Sequence, residues 1–199
     1  MKGVAQWIVA GLFFAGCGAG QTAVKSETPP EAEAVEQEKA PEVVSDWSAL
    51  VSKSGPALDP FVLKQAKGGQ YDVGKTLAEN KVIMISFWAT WCGPCKTELE
   101  RMDPVYEDLV GDGFEYLAVS TDSAESVSEV RPYIRSCGYS FPVLLDTTGD
   151  LLSRYNPRGD LPFYVLVNTR GEVVEMHQGF KPGDEVAIEG KVRALLKAK

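Results

Sequence analysis

The chain has 199 residues, 44% apolar and 24% charged, which suits one globular domain of ordinary size plus extra segments. Its formal net charge of -8 argues against a nucleic-acid partner, since such proteins present a basic face to phosphate.

The N-terminus does not read as part of the fold. Met1 and Lys2 precede a nearly unbroken apolar run from Val4 to Ala15. A membrane-spanning helix needs about 20 such residues, so this shorter run reads as the core of a signal peptide. It closes on Phe14-Ala15-Gly16-Cys17, which resembles the lipobox of bacterial lipoproteins, although Phe14 stands where that pattern usually has Leu. The resemblance implies that residues 1–16 are a lipoprotein signal peptide and that Cys17 is lipidated. Gly18 then implies the outer membrane of a Gram-negative envelope, with the domain on its periplasmic face. The alternative is an ordinary signal peptide cut nearby, with Cys17 incidental.

Residues 17–45 are rich in Pro and Glu and almost free of large apolar side chains. Such a segment buries too little surface to offset its ordering entropy, so a disordered, extended tether reaching at most about 100 Å is expected. Trp47 is expected to dock on the domain that fills residues 46–199; a partner contact is the alternative.

From residue 56 short strands and helices alternate. Phe61–Leu63 and Gln70–Val73 flank the turn signal Gly68-Gly69 and predict an N-terminal hairpin. Val82–Ala89 is a nearly continuous apolar run, as in central strands covered on both faces. Leu99, Met102, Val105, Tyr106 and Leu109 repeat at helical spacing within Gly93–Val110. Phe114–Ser120 reads as the next buried strand, and Asp122-Ser123 as the cap of a helix reaching Cys137. Phe163–Asn168 and Val173–His177 read as strands joined by a tight turn, and Asp184 as the cap of a last helix. The pattern predicts an α/β domain with a mixed sheet flanked by helices.

The informative stretch is Phe87-Trp88-Ala89-Thr90-Trp91-Cys92-Gly93-Pro94-Cys95. A buried strand delivers Cys92 to a helix N-terminus, where unpaired N–H groups and the helix dipole favour a thiolate. Cys95, three residues on, is placed to attack a mixed disulfide held on Cys92. Pro94 falls in the first turn, where its missing N–H costs nothing. Trp91 offers a flat apolar cover. A pair closing so small a loop staples little, so chemistry is the expected role.

This stretch resembles thioredoxin. In its wider context the chain is similar to the exported, membrane-tethered thiol–disulfide oxidoreductases of the TlpA/ResA type, which overlap in pattern with the alkyl hydroperoxide reductase/thiol-specific antioxidant group. Phe141–Asp146, Leu161–Asn168 and Gly171-Glu172-Val173 extend the likeness. The resemblance implies a thioredoxin fold carrying the extra N-terminal hairpin. It makes Cys92 the attacking and Cys95 the resolving cysteine, with Gly93 and Trp91 in support. Pro162 becomes a cis-proline facing the pair and offering backbone groups to substrate. Glu98 matches an acidic residue that tunes thiol pKa in some members; a plain helix-dipole glutamate is the alternative. Ser86 stands where thioredoxin has a buried aspartate, which leaves Glu98 or water as proton acceptor. Glu100 stands where thioredoxin has a kinking proline, so a kink is displaced to Pro104 or absent.

The implied activity is disulfide exchange with exported proteins, in the reducing direction, by a monomer that a membrane or soluble reductant recharges. No cofactor or metal is implied. An oxidase or isomerase on the same fold, or a tethered binding module with a structural disulfide, are the alternatives. Peroxidase chemistry is not expected, because this CxxC lacks the Thr and Arg setting of a peroxidatic cysteine. Cys137 is expected to be a small buried or half-buried residue, or else a third thiol that traps mixed disulfides. His177 is expected at a strand end on the surface, not in a zinc set.

Overall fold

The structure is a computed structural model that describes residues 46–79 and 81–198. The signal-peptide, lipobox and tether readings fall on residues 1–45 and lie outside the described residues.

A short helix, α1 (Ser48–Val51), leads into a hairpin of β1 (Val62–Gln65) and β2 (Gln70–Asp72). Gly68 and Gly69 turn it at φ of 105° and 83°, a backbone region that costs glycine little. A helix that the periodicity did not predict follows, α2 (Val73–Ala78). Its signal was Asp72, whose side chain accepts the Gly74 N–H at 3.0 Å as an N-cap.

The central strand β3 (Val82–Trp88) is buried at every position and feeds α3 (Gly93–Leu109). The helix runs on through Pro104 and ends in a single 3-10 turn closed by Gly113. Then come β4 (Phe114–Ser120), α4 (Val127–Cys137), β5 (Val143–Leu145) and α5 (Asp150–Tyr155). The chain closes with β6 (Phe163–Val167), β7 (Val173–Gln178) and α6 (Asp184–Lys197).

The seven strands form one sheet in the order β2-β1-β5-β4-β3-β6-β7. β3, β4 and β5 are parallel neighbours, and every other pairing is antiparallel. Both crossovers, β3-α3-β4 and β4-α4-β5, step the same way along the sheet. A right-handed hand for each therefore puts α3 and α4 on the same face. There Met84, Trp88, Tyr116 and Tyr164 meet Leu99, Met102, Ile134, Ile188 and Val192. The opposite face packs Ile83, Ile85, Phe87 and Val165 against Leu151, Leu152 and Val73. Alternation along β3 points Ser86 to the α3 face, between Met84 and Trp88.

Three expectations change. Asp122-Ser123 do not cap α4, which starts later at Val127 with no side-chain cap, because the Asp122 carboxylate is turned inward. Gly183 occupies the cap position of α6, and Asp184 is its first residue, accepting the Lys181 N–H at 2.8 Å. Cys137 is exposed: it is the last residue of α4, where Gly138 turns the chain away at φ 74°. The docking of Trp47 is observed. A Cβ on Gly190 of α6 would lie 2.9 Å from the indole nitrogen, and Lys191 Nζ sits 5.4 Å from the ring centre.

Candidate active site

The buried run of β3 ends at Trp88, and Ala89-Thr90-Trp91 carry the chain to the start of α3. Cys92 is the N-cap of that helix, with extended backbone (φ -87°, ψ 102°), and its Sγ accepts the Cys95 N–H at 3.3 Å. The two cysteines form a disulfide with Cα atoms 5.3 Å apart. Gly93 and Pro94 are exposed beside them. Trp91 is 69% exposed, Cys92 5% and Cys95 1%, so Cys92 is the sulfur nearer the surface.

The loop before the pair is held by a residue the sequence reading misassigned. Asp122 is fully buried and accepts from the Thr90 N–H at 3.0 Å and the Thr90 hydroxyl at 2.6 Å. Ser120 Oγ also donates to it, at 2.9 Å. The Trp88 carbonyl accepts the Thr121 N–H at 2.8 Å. The end of β4 thus fixes where β3 releases the chain into the dithiol loop.

One turn beyond Cys95 lies Glu98, 1% exposed. It lies beyond the first turn of α3, and the helix dipole acts most strongly within that turn. Its Oε1 accepts the Ser86 hydroxyl, and the Tyr116 hydroxyl at 3.2 Å. Its Oε2 has no hydrogen-bond partner. Burial is the largest influence on this carboxyl and pushes its pKa up to about 7; the two hydroxyls partly offset it. A carboxyl thus reaches Ser86 from the helix side instead of from the strand. Tyr116 was not singled out in the sequence, although alternation along β4 puts it on the α3 face.

On the neighbouring strand β6, Phe163 pairs with Phe87, so Pro162 falls beside the end of β3 from which the dithiol loop departs. The Leu161–Pro162 bond is cis. The Pro162 carbonyl is already taken, by the Gly179 N–H at 2.8 Å and the Gln178 side chain at 2.9 Å. Leu161, the residue before Pro162, is half-buried. Cys137 does not join the pair; it lies at the far end of α4. His177 is exposed on β7 and stacks on Tyr164 at 5.2 Å. Among the described residues no group of three or more His, Cys, Asp or Glu is placed to hold a metal ion.

A dithiol capping a helix at the end of a central strand, with a cis-proline on the next strand, defines the thioredoxin-fold thiol–disulfide oxidoreductases. Residues 55–176 match the AhpC/TSA family, and the chain belongs to it. It is similar to the thiol-disulfide oxidoreductase ResA of Halalkalibacterium halodurans, 30% identical over 129 residues that cover 65% of this chain and 70% of that one. Among solved structures it is similar to a putative thiol:disulfide interchange protein DsbE from Chlorobium tepidum. That likeness has a TM-score of 0.64 at 26% identity and covers 72% of this chain and 98% of the other. It is also similar to the pneumococcal exposed lipoprotein thioredoxin of Streptococcus pneumoniae, with a TM-score of 0.56 at 25% identity, covering 65% and 96%. The chain is thus a TlpA/ResA-type thiol–disulfide oxidoreductase.

Proposed function

We propose that this protein reduces disulfides in exported proteins while tethered to a membrane through lipidated Cys17 and the 17–45 segment. The observation that carries the chemistry is the Cys92–Cys95 pair at the head of α3, with the Glu98 carboxyl buried one turn below. The lipobox-like Phe14–Cys17 run supports the anchor, and so does the likeness to an exposed lipoprotein thioredoxin. Among the described residues no helix is long and apolar enough to cross a membrane.

The cycle starts from the reduced pair. The Cys92 thiolate, favoured by the helix N-terminus, attacks one sulfur of the client disulfide, and the other client sulfur leaves as a thiolate. Cys95 gives its proton to Glu98 and attacks Cys92 Sγ, which releases the second client sulfur. Two electrons pass to the client, and the pair ends as the disulfide seen here. A carboxyl whose pKa lies near 7 is matched to taking that proton at neutral pH. Leu161 lies where an extended client backbone would pass, and Trp91 covers it with an apolar face. A separate thiol reductant, membrane-bound or soluble, restores the pair.

Reduction of insulin by the soluble domain tests this reading, with Cys92→Ser as control: activity is expected in the first and none in the second. Equal activity in the variant would overturn the mechanism. The Gly-Pro spacer of reducing thioredoxins leads us to expect a potential of about -270 mV. A measured potential above about -150 mV, in the range of strong oxidants, would reverse the direction.

A further inference from the structure

Cys95 and Glu98 are both buried and stand three residues apart on α3, a spacing that brings side chains to one helix face with Cβ atoms about 5–6 Å apart. The sheet meets this carboxyl with two hydroxyls. Ser86 on β3 pairs with Ala118, and Met84 with Tyr116 on β4, so Ser86 and Tyr116 are diagonal neighbours on the α3 face. Both hydroxyls donate to the same oxygen, Oε1. Among the described residues no group donates to Oε2, which is buried as well.

That asymmetry has a chemical meaning. A neutral carboxyl has one oxygen that only accepts and one that carries the proton. An oxygen that accepts from two hydroxyls suits the first role, and it accepts the same two bonds when the group is ionised. The proton can then come and go at Oε2 without either hydroxyl turning. Tyr116 is held in place for this. Its ring is buried and meets Phe141 edge-on, with 4.8 Å between centres. Burial keeps its own pKa well above the ordinary value, so it remains a donor. Two other ionisable groups act on the carboxyl from α6 and β6. Asp184, at the start of α6, opposes its ionisation by like charge. Tyr164 on β6 turns its hydroxyl to Glu175 at 2.7 Å, where Lys191 also binds.

We propose that Tyr116 and Ser86 are positioning residues for the resolving step: they clamp Oε1 of Glu98 and leave Oε2 to take the proton that Cys95 gives up. The inference rests on Glu98 as proton acceptor in the reductase reading, and it assigns the atom and the residues that hold it.

Tyr116→Phe removes one donor and keeps the ring. In the oxidised domain, NMR of the Glu98 side-chain carboxyl carbon should show its titration midpoint raised by about one pH unit, since the ionised form loses a hydrogen bond. Ser86→Ala should act the same way and carries the test if the Tyr116 variant does not fold. In the reduced domain the two thiols are timed separately with a symmetric aromatic disulfide whose thiolate is coloured. One thiolate leaves when Cys92 attacks, and a second when Cys95 resolves the mixed disulfide. At neutral pH both variants should release the first at the parent rate and the second about fivefold more slowly, because a midpoint raised by about one unit from about 7 leaves that much less carboxylate. The difference should vanish by about pH 9. An unmoved midpoint in both variants would overturn the clamp. A moved midpoint with an unchanged second phase would overturn its role in resolution, and so would a second phase slowed equally at both pH values, which marks damage to the fold. Failure of the parent to release the second thiolate would overturn the reductase reading itself. The NMR midpoint, read without turnover, distinguishes that result from failure of the clamp.

Discussion

Glu98 shows how a residue's setting decides its chemistry. In the sequence it is one of several glutamates near a helix start, and only likeness to a family singled it out. Its burial depends on Ser86 and Tyr116, which reach it from two different strands, and neither contact is visible in local sequence. Asp122 was misread for the same reason: an Asp-Ser pair ahead of a helix looks like a cap until Thr90, far back in the chain, claims the carboxylate. The raised pKa of Glu98 has a measurable sign. The folded state binds this proton up to about pH 7, whereas the unfolded chain releases it near 4.5. This group's contribution is therefore most favourable at low pH, falls as pH rises from about 4.5 to 7, and is level above that. The loss amounts to about 3 kcal/mol at 1.36 kcal/mol per pKa unit. Urea unfolding of the oxidised domain should show Glu98→Gln gaining about that much on the parent between pH 4 and pH 8. A constant difference across that range would mean the carboxyl is not buried as described.

At the scale of elements, the strands were the most legible part. Phe114–Ser120 is read from sequence with both ends right, because a strand buried on both faces leaves a nearly continuous apolar run, here broken by Glu115. Short amphipathic pieces were not legible. α2 and α5 are each six residues long, too short for a helical period to stand out. The outer edge of β7 also escaped notice. The segment from Gly55 lies along it, with an Ala57–Glu172 bridge and a Val173 N–H bond to the Pro56 carbonyl at 2.9 Å. That lining protects an exposed edge from pairing with other chains. A Cβ on Gly55 would sit 1.8 Å from the Val173 carbonyl oxygen. Gly55→Ala should therefore push the segment off the edge and cost about 2 kcal/mol of stability, read by urea unfolding. An unchanged midpoint would show that the segment is not held there.

At the scale of the molecule, Trp47, expected from the sequence to dock, does so near the start of the described residues. The indole lies on α6, against Gly190 and under Lys191, away from the dithiol loop. Trp47→Ala should lower unfolding stability by about 1–2 kcal/mol, as lost apolar burial and a cation–π contact imply. It should leave insulin reduction unchanged. A matching loss of turnover would tie the Trp47 contact on α6 to the site. Which helices share a face was not legible, since that depends on contacts between residues distant in the chain.

That distance also bears on how the molecule is made. Phe87 and Phe163 are paired neighbours in the sheet, yet the whole of α3, α4 and α5 is synthesised between them. A growing chain therefore presents its two thiols well before the strand that will flank them exists. Contacts that close so large a loop form late. During that interval the pair has its helix but not its specificity, and it is open to any passing thiol or oxidant. Whatever guards a newborn chain at that moment must come from outside it.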